Sequence, residues 1–311
     1  MMFKAAKQKA KWLLLFCLWI NLISPQEIDS LNQIRILPKQ LLELKTEIQI
    51  NRDFDKPPYP PVNKSILLST AVLSVVVGTP LIVAQTNNYW KGRSTNFHFA
   101  ESNNSAWIKR FSKFYSTNFI AHFYSASLES ANMDYELATI YSAAIALSYN
   151  SLIEGIDGFT RDEGFDASGY LFNIIGAGYV LGQYYIPTLK HFQPKFSYSL
   201  DKINKNNELS FGEDYSGHIY WLGVRVKELL PEKVAKFWPS FLMLSFGIGT
   251  NSSISGNVIN NEYYIALDFD AETLPLNGRF WQFIKNTLNY FHFPLPGIRV
   301  SPDMKFIAFT F

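Results

Sequence analysis

Charged residues are scarce in this chain: they make up 17% of its 311 residues, and the net charge is only +2. Beyond residue 11 there is no dense run of lysine or arginine, so the sequence does not indicate a nucleic-acid partner. The histidines and acids lack the spacing of metal ligands, and neither a glycine-rich phosphate loop nor a nucleophile elbow occurs. We therefore expect no metal and no other cofactor.

Aromatic residues, in contrast, are abundant, with 26 Phe, 17 Tyr and 7 Trp. Aromatic content at this level is typical of membrane interfaces and of bilayer-facing strands. A very aromatic protein core would give the same composition, so the composition alone leaves both readings open.

The N-terminus combines basic and apolar residues in the order of an export signal. Four lysines between residues 4 and 11 precede an apolar run at residues 12–23. This run is too short to span a bilayer comfortably, so we predict an export signal over residues 1–26. The single cysteine, Cys17, lies inside the run with no small residue just before it, so lipid attachment is not expected. Signal-dependent export predicts a location in the cell envelope, most specifically the outer membrane.

Helical patterns fill the first half of the chain after a polar, proline-rich segment at residues 27–64. We predict a membrane-associated bundle of about four helices over residues 65–190. The first, at 65–85, is uncharged and long enough to cross a bilayer, although Pro80 would kink it. The other three are predicted at 111–130, 135–156 and 167–185.

Strand-like patterns dominate the second half, residues 191–311. Four or five antiparallel strands are expected, including 194–200, 239–250, 262–270 and 303–311. Two further helices are predicted at 216–230 and 279–290. The predicted fold class is therefore α+β: a helical bundle followed by a small antiparallel β-sheet region. The last strand ends in Phe309-x-Phe311, which resembles the C-terminal signal of outer-membrane proteins, but a final strand docking aromatics into a core has the same pattern.

Five polar residues of the predicted helices are candidates for a polar bundle core. Asn118 and His122 are four apart, and Glu154 and Asp157 are three apart, so each pair shares a helix face. Asn173 lies on the last bundle helix. These groups either fix helix register by hydrogen bonding or perform acid–base chemistry, with His122 and Glu154 as the titrating pair and Asp157 beside them.

Two further features of this region concern helix ends and helix packing. Glu154 and Asp157 end their helix, where the dipole disfavours acids, so we expect a specific partner such as a backbone amide of the following loop or Arg161. Asp166 is predicted to cap the next helix. The glycines of that helix are predicted to allow close helix packing: Gly176, Gly178 and Gly182.

Asp268 and Asp270 are two apart in the predicted strand 262–270 and therefore share one face. A solvated face is the favoured interpretation, and a calcium site is the alternative.

Several stretches resemble an uncharacterised YfiM-like family of predicted envelope lipoproteins. The resemblance rests on "YWKGRSTNFHFAESNNSAWIKRF", "AHFYSA", "IEGIDGF", "EGFD" and "NIIGAGYVLGQ", covers roughly residues 89–200, and extends more loosely into the tail. It implies an envelope location, a helical core and no established activity. The family's polar positions are matched at His122, Glu154, Asp157 and Asn173.

This chain departs from that family at several polar positions. Asn118 and Phe119 stand where the family carries an aspartate and a lysine, and Gly169 replaces another acid. An acid–base site would not tolerate such losses well, whereas a packing scaffold would.

The sequence therefore predicts a non-enzymatic structural or accessory subunit of an outer-membrane or envelope complex. Its expected partners are membrane lipid and a larger outer-membrane protein or barrel complex, with no nucleic acid. The alternative is a membrane-embedded enzyme that acts on a lipid or cell-wall precursor through the His122–Glu154 pair.

Overall fold

The computed structural model of the chain describes residues 61–74, 76, 94–100, 106–161, 163–199, 217–252 and 259–310. The predicted export signal, nearly all of the segment 27–64 and residues 77–85 lie outside these ranges. The chain divides into two compact units, residues 1–85 and 86–311. In the first unit, residues 64–74 are helical, within the range predicted for an apolar helix.

The second unit begins with three long helices that follow the sequence prediction closely. They are α1 (Ala106–Ser130), α2 (Tyr135–Asp157) and α3 (Ala167–Tyr185). Asp134 caps α2 by accepting the backbone N–H groups of Glu136 and Leu137, and Asp166 caps α3 by accepting that of Gly169, as predicted. Within the described residues, no helix combines the length and the apolar character that crossing a membrane requires.

The strands form one six-stranded antiparallel sheet in which sequence neighbours are also spatial neighbours. They are β1 (Phe192–Tyr198), β2 (His218–Val224), β3 (Leu242–Ser252), β4 (Ile259–Phe269), β5 (Gly297–Ser301) and β6 (Lys305–Ile307). Short helices α4 (Val226–Leu229) and α5 (Glu232–Ala235) connect β2 to β3, and α6 (Arg279–Leu288) precedes β5.

The sheet curves around one of its own faces. The backbone N–H of Phe196 in β1 donates to Tyr290 O at 2.8 Å, and the N–H of His292 donates to Phe196 O at 2.9 Å. The same segment then continues into β5, which pairs with β4. Because one stretch of chain reaches from the edge of β1 to β4, the sheet encloses its inner face.

Helix α1 lies between the sheet and the other two long helices. Ile108 and Tyr115 of α1 pack on Tyr220 of β2 and on Tyr290. The Tyr115 hydroxyl donates to Trp221 O at 2.8 Å, and the Tyr290 hydroxyl donates to the carbonyl oxygen of Tyr115. The bundle and the sheet therefore belong to one compact unit, with no division at residue 190.

The α+β class and the antiparallel sheet are confirmed, but two secondary-structure predictions are corrected. The helix predicted at 216–230 is mostly strand β2, and only Val226–Leu229 is helical there. The sequence stretch is aromatic and apolar on both sides, because β2 is covered on one face by α1 and on the other by the sheet interior. Strand β5 was missed because it has only five residues, Gly297–Ser301.

The interior of this unit is unusually polar. Buried and exposed residues alternate along β4: Glu262, Tyr264 and Asp268 are buried, while Tyr263 and Ile265 are exposed. Most of the largest fully enclosed side chains are polar or charged, in order of chain position Thr117, Asn118, Thr139, Glu154, Thr160, Asn173, Lys195, Glu262 and Asp268. This distribution is the reverse of the apolar-in, polar-out pattern of a sheet with one wet face.

Candidate functional site

A buried ion pair links α1 to the end of α2. Lys113 Nζ lies 2.7 Å and 2.6 Å from the two carboxylate oxygens of Glu154, and 3.6 Å from Asp166 Oδ2. The Glu154 carboxylate also accepts the backbone N–H of Asp166 at 2.8 Å. The sequence predicted a backbone amide of the loop 158–165, or Arg161, as the partner of this acid; the amide that it binds belongs to Asp166, the residue directly after that loop. It did not predict Lys113, which stands 41 positions earlier in the chain.

We call Lys113, Glu154 and Asp166 the bundle cluster, and it is not sealed from water. The Lys113 side chain is 22% exposed, whereas that of Glu154 is 2% exposed. Lys109 and Glu163 form a second, more exposed pair nearby at 3.2 Å. The cluster thus ties the loop between α2 and α3 to α1 at the edge of the unit.

Asp157 is an acid with a raised pKa at this end of the bundle. Burial, and after it the neighbouring Glu154 charge, raise the pKa of Asp157 to about 7, although Lys113 opposes both effects. A carboxyl group that titrates near neutrality is a recognised feature of acid–base sites, although buried structural acids share it.

Farther along α1, a second group of polar residues contacts α3. Thr117 Oγ1 donates to Asn173 Oδ1 at 3.0 Å, and Asn118 Nδ2 donates to Gly176 O at 3.1 Å. These bonds tie two parallel helices in register, which is the structural role that the sequence left open for Asn118 and Asn173.

His122 lies apart from Glu154. Its ring approaches Tyr290, with 6.4 Å between ring centroids, and Gln183 is its polar neighbour. Burial lowers the pKa of His122 to about 4, and the nearby Gln183 opposes this only slightly. Lys113, the partner of Glu154, precedes His122 by nine residues, or roughly 13 Å of helix. The predicted His122–Glu154 acid–base pair is therefore not assembled in this structure.

The three predicted packing glycines occupy three different environments. A Cβ on Gly176 would lie 2.5 Å from Phe114 O, so this glycine does allow α1 and α3 to approach closely. Gly178 faces open space among the described residues, and Gly182 contacts only the side chain of Leu189, beyond the end of α3. Close helix packing is thus correct for Gly176, whereas within the part of the chain that the structure describes a Cβ on Gly178 would meet no atom of another helix and one on Gly182 would meet only Leu189 Cδ1, at 3.1 Å.

The inner face of the sheet holds a second charged cluster, which the sequence did not predict. Lys195 Nζ lies 3.2 Å from Asp268 Oδ1, and His292 Nδ1 lies 2.9 Å from Asp268 Oδ2. Ser245 Oγ donates to the same carboxylate at 2.8 Å, and Lys195 also donates to Phe269 O at 2.8 Å. We call Lys195, Ser245, Asp268 and His292 the sheet cluster.

The sheet cluster is closed to solvent. The side chains of Lys195, Asp268 and His292 are all 0% exposed. The His292 ring stacks on Trp221, with centroids 3.8 Å apart and planes at 12°. Burial lowers the pKa of Lys195; it would raise that of Asp268, but the hydrogen bond from His292 and the charge of Lys195 hold the pKa of Asp268 below its usual value. The expected solvated face at Asp268 is therefore wrong.

Two arginines bind carboxylates in the polar interior and at its edge. Arg225 Nε lies 2.6 Å from Asp270 Oδ2, and its Nη2 lies 2.6 Å from Glu272 Oε2. Arg299 Nη1 lies 3.1 Å from the buried Glu262 carboxylate. Because Asp268 and Asp270 have cationic partners, neither is arranged as a calcium ligand, and no metal-ligating group of three side chains occurs among the described residues.

The outer face of the sheet carries exposed apolar residues in one register row. Leu222, Phe246, Ile265, Ile298 and Phe306 are successive partners across β2 to β6, and we call them the outer row. All five are exposed, Ile265 by 41% and Phe306 by 66%.

The predicted C-terminal signal is described only in part. Phe309 follows the end of β6 and is exposed, while Phe311 lies outside the described residues. The final strand is therefore shorter than the range 303–311 predicted for it.

Comparison with known proteins gives no further identification. No family model, curated protein or solved structure matches this chain. The resemblance to the YfiM-like family stays a prediction.

Proposed function

We propose that this protein is a non-enzymatic structural or accessory subunit of an outer-membrane or envelope protein complex. The observation that carries the proposal is the arrangement on the sheet, where paired charged groups are enclosed and exposed apolar side chains lie outside. A chain of this kind is suited to an apolar environment, either lipid or a large partner protein. The basic and apolar N-terminal segment, interpreted as an export signal, supports the envelope location.

The enclosed ionisable groups favour a structural role. The charges of the sheet cluster bind one another and have no exposed surface through which a substrate could reach them. Asn118 Nδ2 and Asn173 Oδ1 each form a hydrogen bond between two helices. Polar networks that are paired in this way fix a single packing arrangement of a core.

The test is purification of the tagged full-length protein from its native cells in mild detergent, with the mass and identity of every co-eluting protein. We expect a stoichiometric complex with a larger outer-membrane protein. The same purification from cells with the untagged protein is the control for adventitious binding. A clean monomer or homo-oligomer would contradict the accessory-subunit proposal.

An enzyme acting on a lipid or cell-wall precursor is the second candidate, and one observation favours it. Asp157 has a pKa of about 7 and stands beside Glu154, whose partner Lys113 is reachable by solvent. Any acid–base chemistry would thus involve the end of α2 and not His122. In cells where deletion causes a defect, Glu154→Gln and Asp157→Asn should both restore growth if the protein is structural. If both variants fail to restore growth although they are present at normal protein levels, and His122→Ala does restore it, the enzyme is favoured.

A further inference from the structure

We propose that the outer row of the sheet contacts the hydrocarbon of a lipid bilayer. The proposed function requires an apolar environment, and this inference identifies that environment as lipid. It therefore rests on the envelope location that is part of the proposed function. It concerns the described residues of the second unit, and above all Phe246, Ile265 and Ile298.

The first argument is the chemistry of the face itself. Besides the outer row, the outward positions of the central strands are occupied by Leu244, Leu267 and Val300, which are also apolar. A protein interface of ordinary composition supplies about one hydrogen bond per 100–200 Å² and has a polar rim around its centre. The side chains of the outer row and of these three positions have no hydrogen-bonding atoms to offer, which suits acyl chains better than a protein partner; Tyr263 and Asn261 lie farther along β4 on the same face.

The second argument is the position and the pairing of the polar groups on the same strands. On β4, Glu262 and Asp268 alternate with Tyr263 and Ile265, and each acid has a cationic partner inside the sheet. Alternation with apolar residues outside and paired polar residues inside is what bilayer-facing strands require, because hydrocarbon cannot solvate a charge.

A third argument comes from helix α3, which shows the same reversal. Leu171, Ile174 and Ile175 are exposed, while Asn173 and Gln183 are buried. Helix α1 packs on the face of β2 that also carries Leu222, and α3 packs on α1, so exposed apolar side chains occur on the bundle as well as on the sheet. A bilayer can cover apolar side chains of both elements at once.

A rim at one end of the sheet carries the residues expected at the lipid headgroups. Phe241 O accepts the backbone N–H of Asp270 at 2.9 Å, so the segments after β2 and after β4 leave the sheet at the same end. These segments present exposed aromatic and basic side chains, namely Lys233, Lys236, Phe237, Phe241, Arg279, Phe280 and Trp281. Glu228 and Glu232 share the first segment, so the basic excess is small. Aromatic rings beside lysine and arginine are typical of the membrane–water interface, where the cations meet lipid phosphates.

The experiment measures the depth of single labels in a membrane. On a Cys17→Ser background, the full chain carries Ile265→Cys, Ile298→Cys or, as the matched control, Asn261→Cys, each labelled with a small fluorophore. Asn261 lies on the same strand and face as Ile265 and is already polar and exposed. The protein is reconstituted into phosphatidylcholine vesicles containing phosphatidylglycerol, with or without bromine on the acyl chains, and is also titrated with aqueous iodide.

We expect bromolipid to quench the labels at Ile265 and Ile298 at least about twofold more than the label at Asn261, and iodide to show the opposite order, because hydrocarbon excludes the anion. Labels at both row positions that iodide quenches as strongly as the control would overturn the inference, and so would failure of the labelled protein to bind the vesicles. Two row positions are used so that a misfolded variant at one of them does not decide the result; far-ultraviolet circular dichroism identifies such a variant.

The outcome of this experiment can be separated from the outcome of the test of the proposed function. Lipid contact without a co-purifying partner would leave this inference standing and contradict the accessory-subunit proposal. A stoichiometric complex in which the row positions crosslink to the partner protein and are not quenched by bromolipid would do the reverse.

Discussion

The bundle cluster and the sheet cluster are both built around a lysine–carboxylate pair, but they differ in their access to water. Lys113 retains 22% of its side-chain surface, while Lys195 retains none. A partly exposed ammonium group can be solvated when its partner is removed, whereas an enclosed one cannot. The first cluster can therefore change its protonation or partners at modest cost, and the second is fixed by the folded sheet.

The two clusters also differ in which parts of the structure their buried charges hold together. The bundle cluster holds a loop, since Glu154 bridges Lys113 and the backbone of Asp166 at the start of α3. The sheet cluster instead joins distant strands, because Lys195, Asp268 and His292 come from β1, β4 and the segment after α6. We infer that the sheet cluster determines which curvature and register the sheet adopts. Substitutions in the two clusters, in α3 and at Asp157 would break or sharpen this comparison.

The largest effect is expected from removing one side of the sheet pair. Lys195→Met leaves the Asp268 carboxylate enclosed with its main cation gone, and breaking a buried pair in this way costs about 3–5 kcal/mol of unfolding free energy. Chemical denaturation followed by tryptophan fluorescence measures it. Lys305→Met, at an exposed lysine of β6, is the matched control and should change the unfolding free energy little.

A double substitution tests whether the cost comes from the unpaired charge. Adding Asp268→Asn to Lys195→Met removes the negative charge while keeping a side chain that can accept from Ser245. The double variant should be more stable than the sum of the two single effects predicts, with a coupling energy of about 1–3 kcal/mol. Strict additivity would show that the two residues do not stabilise the fold as a pair.

The bundle pair should respond less and unequally to the same treatment. Glu154→Gln frees an ammonium group that water can reach, so we expect a loss of about 1–2 kcal/mol. Lys113→Met leaves the enclosed Glu154 carboxylate without its cation, although it still accepts the Asp166 amide, and should cost about 2–3 kcal/mol. Equal losses, or losses above that of Lys195→Met, would contradict the comparison.

Two glycines of α3 provide an internal control for packing in the bundle. Gly176→Ala places a Cβ against Phe114 O and should destabilise the protein by about 1–3 kcal/mol through overpacking. Gly178→Ala meets open space on the same helix and should stabilise it by about 0.5–1 kcal/mol through helix propensity. Thermal unfolding of the two variants under one set of conditions measures the contrast, and shifts in the same direction would disprove it.

The smallest expected effect is a difference in pH dependence. Burial raises the pKa of Asp157 from 3.8 to about 7, so its contribution to stability is fully present below pH 3.8 and is lost as pH rises towards 7. Asp268 has a lowered pKa, so its contribution is present above 3.8 and is lost as pH falls below that value.

Asp157→Asn separates these two contributions. Relative to the unchanged protein, this variant should gain unfolding free energy between pH 4 and pH 7, because it lacks the carboxyl group that must ionise while buried. Urea unfolding at several pH values measures the difference. A difference that stays constant over this range would show that Asp157 does not titrate in the folded protein.

The helices could be predicted because their signals are local. Ala167–Tyr185 is uncharged, begins after a capping aspartate and has the length of an ordinary helix, and its predicted limits agree with those of α3. Strand β2 could not be identified in this way, since its apolar residues lie against α1 on one face and the sheet interior on the other. The sequence of β2 does not by itself show that the strand pairs with β1 and β3.

The candidate site was predicted only where its partners are close in the chain. The Asp166 amide that binds Glu154 lies directly after the loop that was expected to supply such a partner, whereas Lys113 and the sheet cluster depend on contacts between remote segments. One signal could have indicated the sheet interior: in residues 262–270 the acids alternate with Tyr263, Ile265 and Leu267. The prediction that these acids are solvated assumed that the apolar side chains of the strand face a core. In the structure the acids are buried, and Tyr263 and Ile265 are exposed.

The most direct test of this reversed arrangement is photocrosslinking of the unmodified full-length protein in its native cells. A phospholipid with a diazirine on its acyl chain is incorporated, and the adducts are located by mass spectrometry. The account predicts lipid adducts on Leu222, Phe246, Ile265, Ile298 and Phe306. Peptides of the outer row that remain free of lipid adducts, while peptides elsewhere in the protein acquire them, would contradict it.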